Sequence, residues 1–306
     1  MTLPTFAVIG AAKAGTTALY WYLDEHPQIA MSPLKETNFF AYGTDEHGRL
    51  LYGDPDLHRF PVRSIEEYER LFPSDGAYRA IGEASPIYIE CPQAAERIAT
   101  TVPDMRIICG LREPVDRAYS DYLMYLRSRG LRFDPDRDLT PSASWARPDS
   151  HWMRIGRYHE MLTPYFERFP RDRIHVFLFD DFTRSPAGVA ADIFAFVGVD
   201  PGFSPDLDTP HNVGGVPANM LVERLLTNKA VRRVVEPLVP TGAVNAIRRF
   251  RTRNLQKPPP MPPALHEELQ APFLDDIRKT SDLIGQSLDR WTPSIVSREG
   301  GAASTP

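Results

Sequence analysis

The sequence predicts an α/β fold: a single doubly wound domain with a central, mostly parallel β-sheet. Short apolar runs recur along the chain, and each is typical of a strand that is buried on both faces of a sheet. Stretches with helical spacing of apolar residues alternate with these runs. The length of 306 residues is sufficient for one large α/β domain with a full core.

Strands and helices follow one another from the N-terminus onward. Residues 6–10 (FAVIG) form an apolar run that ends in glycine, and residues 15–25 follow with helical spacing. This strand, turn and helix are the opening of a βαβ unit. The other predicted strands are 29–31, 80–89 (strand followed by turn), 106–111 and 174–179. The other predicted helices are 64–72, 94–101, 114–127, 156–169, 188–197, 218–239 and 264–291.

Three segments interrupt this pattern. Residues 131–150 are polar, rich in proline and without periodicity, which predicts a long loop that is functional or mobile. Residues 257–263 contain five prolines and predict a rigid linker. We place the folded domain at residues 1–291 and expect residues 292–306 to be a disordered tail.

The composition excludes several classes of protein. The formal net charge is −5, so no global positive field recruits nucleic acid. The N-terminus lacks the basic start of a signal peptide, and no apolar run approaches the ~20 residues of a spanning helix. We therefore expect a cytoplasmic protein without a transmembrane segment.

Cys91 and Cys109 lack the spacing of a zinc site or a disulfide framework, and Cys109 is expected to be buried.

The segment GAAKAGTT at residues 10–17 joins the first strand to the first helix. Backbone N–H groups and the helix dipole at such a turn favour an anion. Gly10 and Gly15 have the GxxxxG spacing of a nucleotide-binding P-loop. Thr16 stands where that loop carries lysine, and Lys13 instead supplies positive charge from inside the loop. The segment predicts a P-loop-like site for a phosphate-like group; an ordinary glycine turn is the alternative.

Arg112 marks a second candidate anion-binding position. It follows the strand RIICGL, and ligands of open parallel sheets bind outside the carboxyl ends of the strands. Ser120 lies two turns along the next helix, and an arginine with a hydroxyl suits a terminal phosphate. A surface ion pair is the other interpretation of Arg112. The strand does not end in the aspartate that holds magnesium in P-loop NTPases, so we expect no metal.

Two other functions remain open on these residues alone. A P-loop kinase or other nucleotide-binding protein would need a lysine at position 16 and a carboxylate for magnesium. A non-catalytic module would only bind a nucleotide or an anionic glycan. The basic segment from Arg224 to Lys257 is interpreted as a solvated helix face, and a surface for an anionic acceptor or a membrane is the alternative.

Taken together, the motifs resemble the sulfotransferases that use 3′-phosphoadenosine 5′-phosphosulfate (PAPS), especially the heparan sulfate type and its bacterial relatives. AAKAGTTALYWYLDEHPQI and SPLKETNFF resemble the start of that family, and RIICGLREPVDRAYSDYL resembles its 3′-phosphate-binding strand and helix. GEASPIYI, GRYHEMLTPYFERFP, HVFLFDDFTRSP, HNVGGVP and the final helical stretch follow in the family's order. The resemblance covers nearly the whole chain.

This resemblance implies a role for each matching residue. The residues that would hold the 5′-phosphosulfate are Lys13, Ala14, Gly15, Thr16 and Thr17. Arg112 and Ser120 would hold the 3′-phosphate, and Glu36 would be the catalytic base. Lys13 would also stabilise the charge that develops on the leaving phosphate. The acceptor would be a hydroxyl or amine of a small molecule, lipid or glycan, with PAP as product and no metal required.

The chain also departs from the heparan sulfate enzymes. Asn38 stands where they often carry histidine, and Ala84 follows Glu83 where they often carry lysine. With the acidic net charge, these differences argue against a highly sulfated polysaccharide acceptor. Lys35 is a second cation that would either help the transfer or be solvated. Because neighbouring side chains on an extended segment point apart, it is expected to point away from Glu36.

Glu36 has competing interpretations. A carboxylate at the start of a helix is stabilised by the helix dipole, which would give Glu36 a structural role. In the histidine-using branch of the sulfotransferases, the base would instead be His151 or His211. His26 is interpreted as the end of a helix, and His159 as a structural residue of the helix 156–169.

Overall fold

Five parallel strands form the central sheet of the computed structural model, which describes residues 2–43, 59–73, 76–207, 215–217 and 255–292. In chain order the strands are β1 (Phe6–Gly10), β2 (Ile29–Met31), β3 (Ala80–Ala84), β4 (Arg106–Leu111) and β5 (Ile174–Leu178). Their order in space is β2-β3-β1-β4-β5, so β1 lies in the middle. Phe6 pairs with Gly82 on one side and with Arg106 on the other. The predicted α/β fold with a parallel sheet is confirmed.

Helices connect the strands and extend beyond them. In chain order they are α1 (Thr16–Asp24), α2 (Ile65–Glu69), α3 (Ala94–Thr101), α4 (Pro114–Ser128), α5 (Pro135–Asp138), α6 (His151–Arg154), α7 (Tyr158–Arg168), α8 (Phe179–Arg184), α9 (Pro186–Val197), α10 (Pro263–Gln270) and α11 (Leu274–Ile284). Short 3₁₀ helices lie at Phe39–Ala41, Pro86–Tyr88, Arg171–Arg173, Ala271–Phe273 and Asp289–Trp291. Ser64 begins α2 as predicted, because its hydroxyl accepts a hydrogen bond from the Glu67 N–H at 3.2 Å.

The chain separates into two compact units. The first comprises residues 1–113, 157–211 and 273–306 and contains the five-stranded sheet. The second comprises residues 114–156 and 212–272, with α4, α5, α6, α10 and a short antiparallel pair, β6 (Val216–Pro217) and β7 (Leu255–Gln256). The predicted domain boundary at residue 291 stays a prediction.

The core of the first unit is built by the alternation of side chains across the sheet. Phe6 and Val8 are fully buried and pack in one cluster with Leu19 of α1 and Ile193 of α9. Successive residues of a strand point to opposite faces, so Cys109 faces away from its neighbour Ile108, which belongs to this cluster. Cys91 and Cys109 are free buried thiols, and the burial of Cys109 was predicted.

The segment 131–150 is mostly irregular, as predicted, but it is a packed part of the second unit. It contains α5, and the Trp145 side chain is completely buried. The Trp145 indole N–H donates to the Asp138 carbonyl at 2.8 Å, and the Tyr122 hydroxyl of α4 donates to the Asp138 carboxylate at 2.8 Å. These bonds satisfy buried polar groups of the segment.

Several predictions lie outside the described residues. They concern the helix 218–239, most of the basic segment from Arg224 to Lys257, His211 and the tail after Thr292. In the part of the chain that the structure describes, no helix combines the length and the apolar character needed to cross a bilayer.

Candidate functional site

The loops that follow β1 and β4 leave the sheet at the point where its connections change direction. β1 is followed by a connection toward β2, and β4 by a connection toward β5 on the opposite side. Ligands of open α/β sheets bind outside the carboxyl ends of the strands at such a switch point. Residues 11–15 and Arg112 therefore occupy the expected position for a ligand.

The loop between β1 and α1 is a tight turn that ends at the N-terminus of α1. The Ala11 N–H donates to the Gly110 carbonyl of β4 at 2.7 Å, and the Ala14 N–H donates back to Ala11 at 3.1 Å. Lys13 and Gly15 both have left-handed backbone conformations, with φ values of 72° and 87°. Because α1 begins with threonines instead of acidic residues, its first N–H groups and Lys13 favour an anion.

Arg112 lies beside this loop and is oriented by three contacts. Its guanidinium lies over the Phe179 ring, 4.7 Å from the ring centroid. One guanidinium nitrogen donates to the Lys13 carbonyl at 3.4 Å. The Arg112 main-chain carbonyl accepts a hydrogen bond from the Tyr158 hydroxyl at 2.7 Å. The structure thus brings Arg112 and Lys13, two predicted anion-binding residues, next to each other.

Helix α8 was missed by the sequence analysis, which extended the strand to Phe179 and predicted no helix between residues 179 and 188. Phe179 is the first residue of α8 and lies under Arg112. Phe182, one turn later, packs so close to Gly15 that a Cβ added there would lie 2.8 Å from its ring. The i, i+3 spacing of these phenylalanines directly after β5 was the available signal.

We expect Gly15→Ala to lower the free energy of unfolding by about 1–3 kcal/mol more than Gly198→Ala, because only the first overpacks a ring. Gly198 is a matched control, since its φ of 89° is close to that of Gly15 and nothing lies within 4 Å of an added Cβ. Urea unfolding of both variants measures the difference. Equal losses would mean that Phe182 does not restrict Gly15.

Glu36 lies in the segment between β2 and the 3₁₀ helix Phe39–Ala41. Its N–H donates to the carbonyl of Ala84, at the end of β3, at 2.9 Å. Its side chain is 54% exposed, so the carboxylate is accessible to a substrate. Glu36 lies before the first turn of that 3₁₀ helix, whose N-cap is Asn38, so the helix-start interpretation is not supported.

The expectation that Lys35 points away from Glu36 is wrong. The Lys35 ammonium donates to the Glu36 carboxylate at 2.6 Å. The expectation assumed an extended backbone, whereas Glu36 and Asn38 have left-handed φ values of 65° and 55°. The left-handed conformation of Glu36 places the Lys35 and Glu36 side chains on the same side of the segment.

Glu83 is the centre of a buried hydrogen-bond cluster that the sequence analysis did not find. Its carboxylate is fully buried and receives four hydroxyl groups. Thr37 and Ser85 donate to Oε2 at 2.6 and 2.8 Å. Tyr68 and Tyr88 donate to Oε1 at 2.5 and 2.8 Å. The cluster therefore joins β3 and α2 to the residue that follows Glu36.

Burial raises the pKa of Glu83, and the four hydroxyl donors only partly oppose this rise. Burial and the nearby Glu83 carboxyl also raise the pKa values of Tyr68 and Tyr88 well above the usual range. Both phenols therefore keep their protons and remain donors. The cluster is suited to holding the chain in position, while the exposed Glu36 is suited to reacting.

Asn38 is held in place by a side-chain and a main-chain hydrogen bond. Its side-chain NH₂ donates to the Arg59 carbonyl at 2.7 Å, and its main-chain N–H donates to the Ser85 hydroxyl at 3.1 Å. The residue is buried. These contacts hold the segment that carries Glu36 against the end of β3.

The remaining predicted residues occupy several places. Ser120 is half-buried on α4, in the second unit. His151 is the first residue of α6 in the same unit. His26 is buried between the Phe194 and Phe203 rings, at 4.7 Å from each, which supports a structural role.

Comparison with known proteins agrees with this architecture. The sulfotransferase family model matches residues 4–205 of the chain. The membrane-associated sulfotransferase kil1 of Dictyostelium discoideum is 36% identical over 126 residues, which are 40% of this chain and 23% of that protein. The bifunctional heparan sulfate N-deacetylase/N-sulfotransferase 4 of Mus musculus is 31% identical over 213 residues, which are 66% of this chain and 23% of that protein. The chain therefore spans less than a quarter of the length of these curated relatives.

A solved structure extends the similarity to nearly the whole chain. The crystal structure of a sulfotransferase from Alicyclobacillus acidocaldarius superposes with a TM-score of 0.67 at 28% identity, covering 95% of this chain and 100% of that chain. The family model by itself covers more than half of the sequence. On the match to the family model and the shared α/β fold, this chain belongs to the sulfotransferase family.

Proposed function

We propose that this protein transfers a sulfuryl group from PAPS to a hydroxyl or an amine. The observation that carries the proposal is the position of the Lys13 loop, at the N-terminus of α1 and in contact with Arg112 through the Lys13 carbonyl. Two anion-binding elements thus lie together at the switch point of the sheet. A donor with phosphate-like groups at two positions requires two such elements.

The proposal assigns the donor to residues at these two elements. The 5′-phosphosulfate would be bound by Lys13, Ala14, Gly15, Thr16 and Thr17. Arg112 and Ser120 would bind the 3′-phosphate, because a guanidinium and a hydroxyl can both donate to its oxygens. A sulfuryl group carries less negative charge than a phosphoryl group, so lysine and N–H donors can neutralise it. No metal is therefore assigned to the site.

Glu36 is proposed as the base of an in-line displacement. Its carboxylate takes the proton of the acceptor hydroxyl or amine as the acceptor atom bonds to sulfur. The bond between sulfur and the bridging phosphate oxygen breaks, and the electron pair stays on the phosphate of PAP. Lys13 stabilises the charge that develops on this oxygen. Lys35, which is ion-paired with Glu36, keeps the carboxylate oriented.

The acceptor is proposed only as a class: a small molecule, a lipid or a glycan. The mouse relative is named as a heparan sulfate N-sulfotransferase, which supports a glycan and an amine among these possibilities. Asn38 and Ala84 differ from that type of enzyme, and we therefore place a highly sulfated polysaccharide last. A cytoplasmic location remains a prediction of the sequence.

We expect PAP to raise the free energy of unfolding by about 2.7 kcal/mol at 100 times its Kd, whereas ATP with Mg²⁺ has no comparable effect. The physical reason is that the loop has no lysine at position 16 for a Mg-nucleotide. Thermal unfolding with each nucleotide measures the difference. Stabilisation by ATP with Mg²⁺ alone would favour the kinase interpretation.

An assay of sulfuryl transfer complements the measurement of nucleotide binding. Labelled PAPS is supplied with three probes: an amine-bearing oligosaccharide, a long-chain alcohol and a phenol. Label on one of them excludes a module that only binds nucleotide.

The Arg112→Ala variant tests the assignment of the 3′-phosphate site, since it removes the guanidinium that would bind the 3′-phosphate. Unchanged PAP affinity in calorimetry would contradict that assignment.

A further inference from the structure

The 3₁₀ helix Asp289–Trp291 is bonded to α8 by two side-chain contacts. The Trp291 indole N–H donates to the Asp180 carboxylate at 3.0 Å, and Arg290 pairs with Asp181 at 2.5 Å. Trp291 is only 4% exposed. A hydrogen bond to a charged acceptor is stronger than a neutral one, and a buried donor that loses its partner is costly. Because Trp291 is buried and the Arg290–Asp181 pair is partly exposed, loss of the Trp291–Asp180 bond is expected to be the more costly of the two.

The Trp291–Asp180 bond connects to the Arg112 side chain through the first residues of α8. Asp180 follows Phe179 directly at the start of the helix, and the Phe179 ring lies under the Arg112 guanidinium. The guanidinium is attracted to the ring face, and the ring sets the plane in which it lies. A shift of the first turn of α8 would move this ring away from Arg112.

Trp291 is also connected to the Arg112 main chain, through Tyr158. The Trp291 and Tyr158 rings lie 6.2 Å apart between centroids. Tyr158 is fully buried, and its hydroxyl donates to the Arg112 carbonyl. Trp291 thus contacts the residue that holds the Arg112 main chain, while its partner Asp180 adjoins the residue that orients the Arg112 side chain.

We infer that Asp180 and Trp291 are positioning residues, which orient Arg112 for the 3′-phosphate of the donor. The inference rests on the proposed function, since it concerns the same phosphate. An arginine that binds a phosphate with two N–H groups needs a fixed plane, and its flexible stem loses entropy when it is fixed on binding. Contacts that fix the plane in advance reduce this cost and raise affinity.

The test is PAP binding by calorimetry to the full chain carrying Asp180→Ala or Asp180→Asn. Alanine removes the acceptor of the Trp291 N–H and is expected to raise the Kd for PAP about tenfold, the equivalent of one hydrogen bond. Asparagine retains a carbonyl oxygen at that position and is expected to restore most of the affinity. Asp181→Ala is the matched control: it removes a neighbouring carboxylate that bonds Arg290 and Arg184, and is expected to change the Kd less than twofold.

A double-mutant cycle separates positioning from a general loss of structure. In an Arg112→Ala background, Asp180→Ala is expected to have no further effect on the Kd, because its influence passes through Arg112. Additive effects would overturn the inference, and so would wild-type affinity in Asp180→Ala. If Asp180→Ala does not fold, Trp291→Phe replaces it, since phenylalanine retains a ring beside Tyr158 and lacks the N–H.

The two proposals fail in different ways. Wild-type protein that binds no PAP would overturn the proposed function and this inference with it. Wild-type protein that binds PAP, together with Asp180→Ala and Trp291→Phe variants of unchanged affinity, would overturn only the positioning role.

Discussion

Glu36→Gln is expected to lower kcat for sulfuryl transfer about 100-fold or more and to leave the affinity for PAP unchanged. Glutamine retains the shape of the side chain and an oxygen for Lys35, but it cannot take the acceptor proton. The main chain stays in place because the Glu36 N–H bond to Ala84 does not involve the side chain. Steady-state transfer from labelled PAPS measures kcat, and calorimetry measures PAP binding.

Glu268→Gln provides the matched control, since it is the same substitution at an exposed position of α10. It is expected to leave turnover within twofold of the wild-type rate. Near-normal turnover of Glu36→Gln would rule out Glu36 as the base. His151 or His211 would then be the next candidates.

Glu83→Ala is expected to lower the free energy of unfolding by about 4 kcal/mol, at the upper end of the range for point mutants. The substitution leaves four buried hydroxyls without their shared acceptor; they belong to Thr37, Tyr68, Ser85 and Tyr88. Glu83→Gln retains one oxygen and is expected to lose about half as much. Urea unfolding measures both. A loss below 1 kcal/mol in Glu83→Ala would show that the cluster does not stabilise the fold.

The raised pKa of Glu83 also predicts how stability depends on pH. Because the folded protein binds the Glu83 proton more tightly than the unfolded chain, this group stabilises the fold most at low pH. Its contribution falls as pH rises above about 4.3, the ordinary glutamate pKa, and is lost through the higher folded pKa. The stability advantage of wild type over Glu83→Gln should therefore narrow as pH rises. A constant difference from pH 4 to pH 8 would contradict the raised pKa.

The parts of the fold that follow local pattern could be predicted from the sequence. The observed bounds of β4 and α3 agree with the predicted ones. The apolar run that marks a buried strand lies entirely within β4, and the periodic spacing that marks a helix lies entirely within α3. α8 was missed because six residues are too few to show a period, and their apolar positions merge with the preceding strand. The packing of the segment 131–150 could not be predicted, because composition does not show that its polar residues are paired within the second unit.

The candidate site could be predicted where the topology alone determines position. Lys13 and Arg112 follow neighbouring strands, so the parallel sheet places them at one edge. The Glu83 cluster could not be predicted, since its members come from separate segments and meet only after the chain has folded. The Lys35–Glu36 pair depends on left-handed backbone at residues other than glycine, for which the sequence carries no strong signal.

The central position of β1 has a consequence for biosynthesis. β1 leaves the ribosome well before its partners β3 and β4, since Phe6 pairs with Gly82 and with Arg106. Until β4 has emerged, a fully buried apolar strand has an unpaired edge on the nascent chain, and such edges promote aggregation. Pairing between segments so distant in sequence is also slow. We therefore expect the yield of folded protein to fall when chaperones do not cover residues 6–10 during translation.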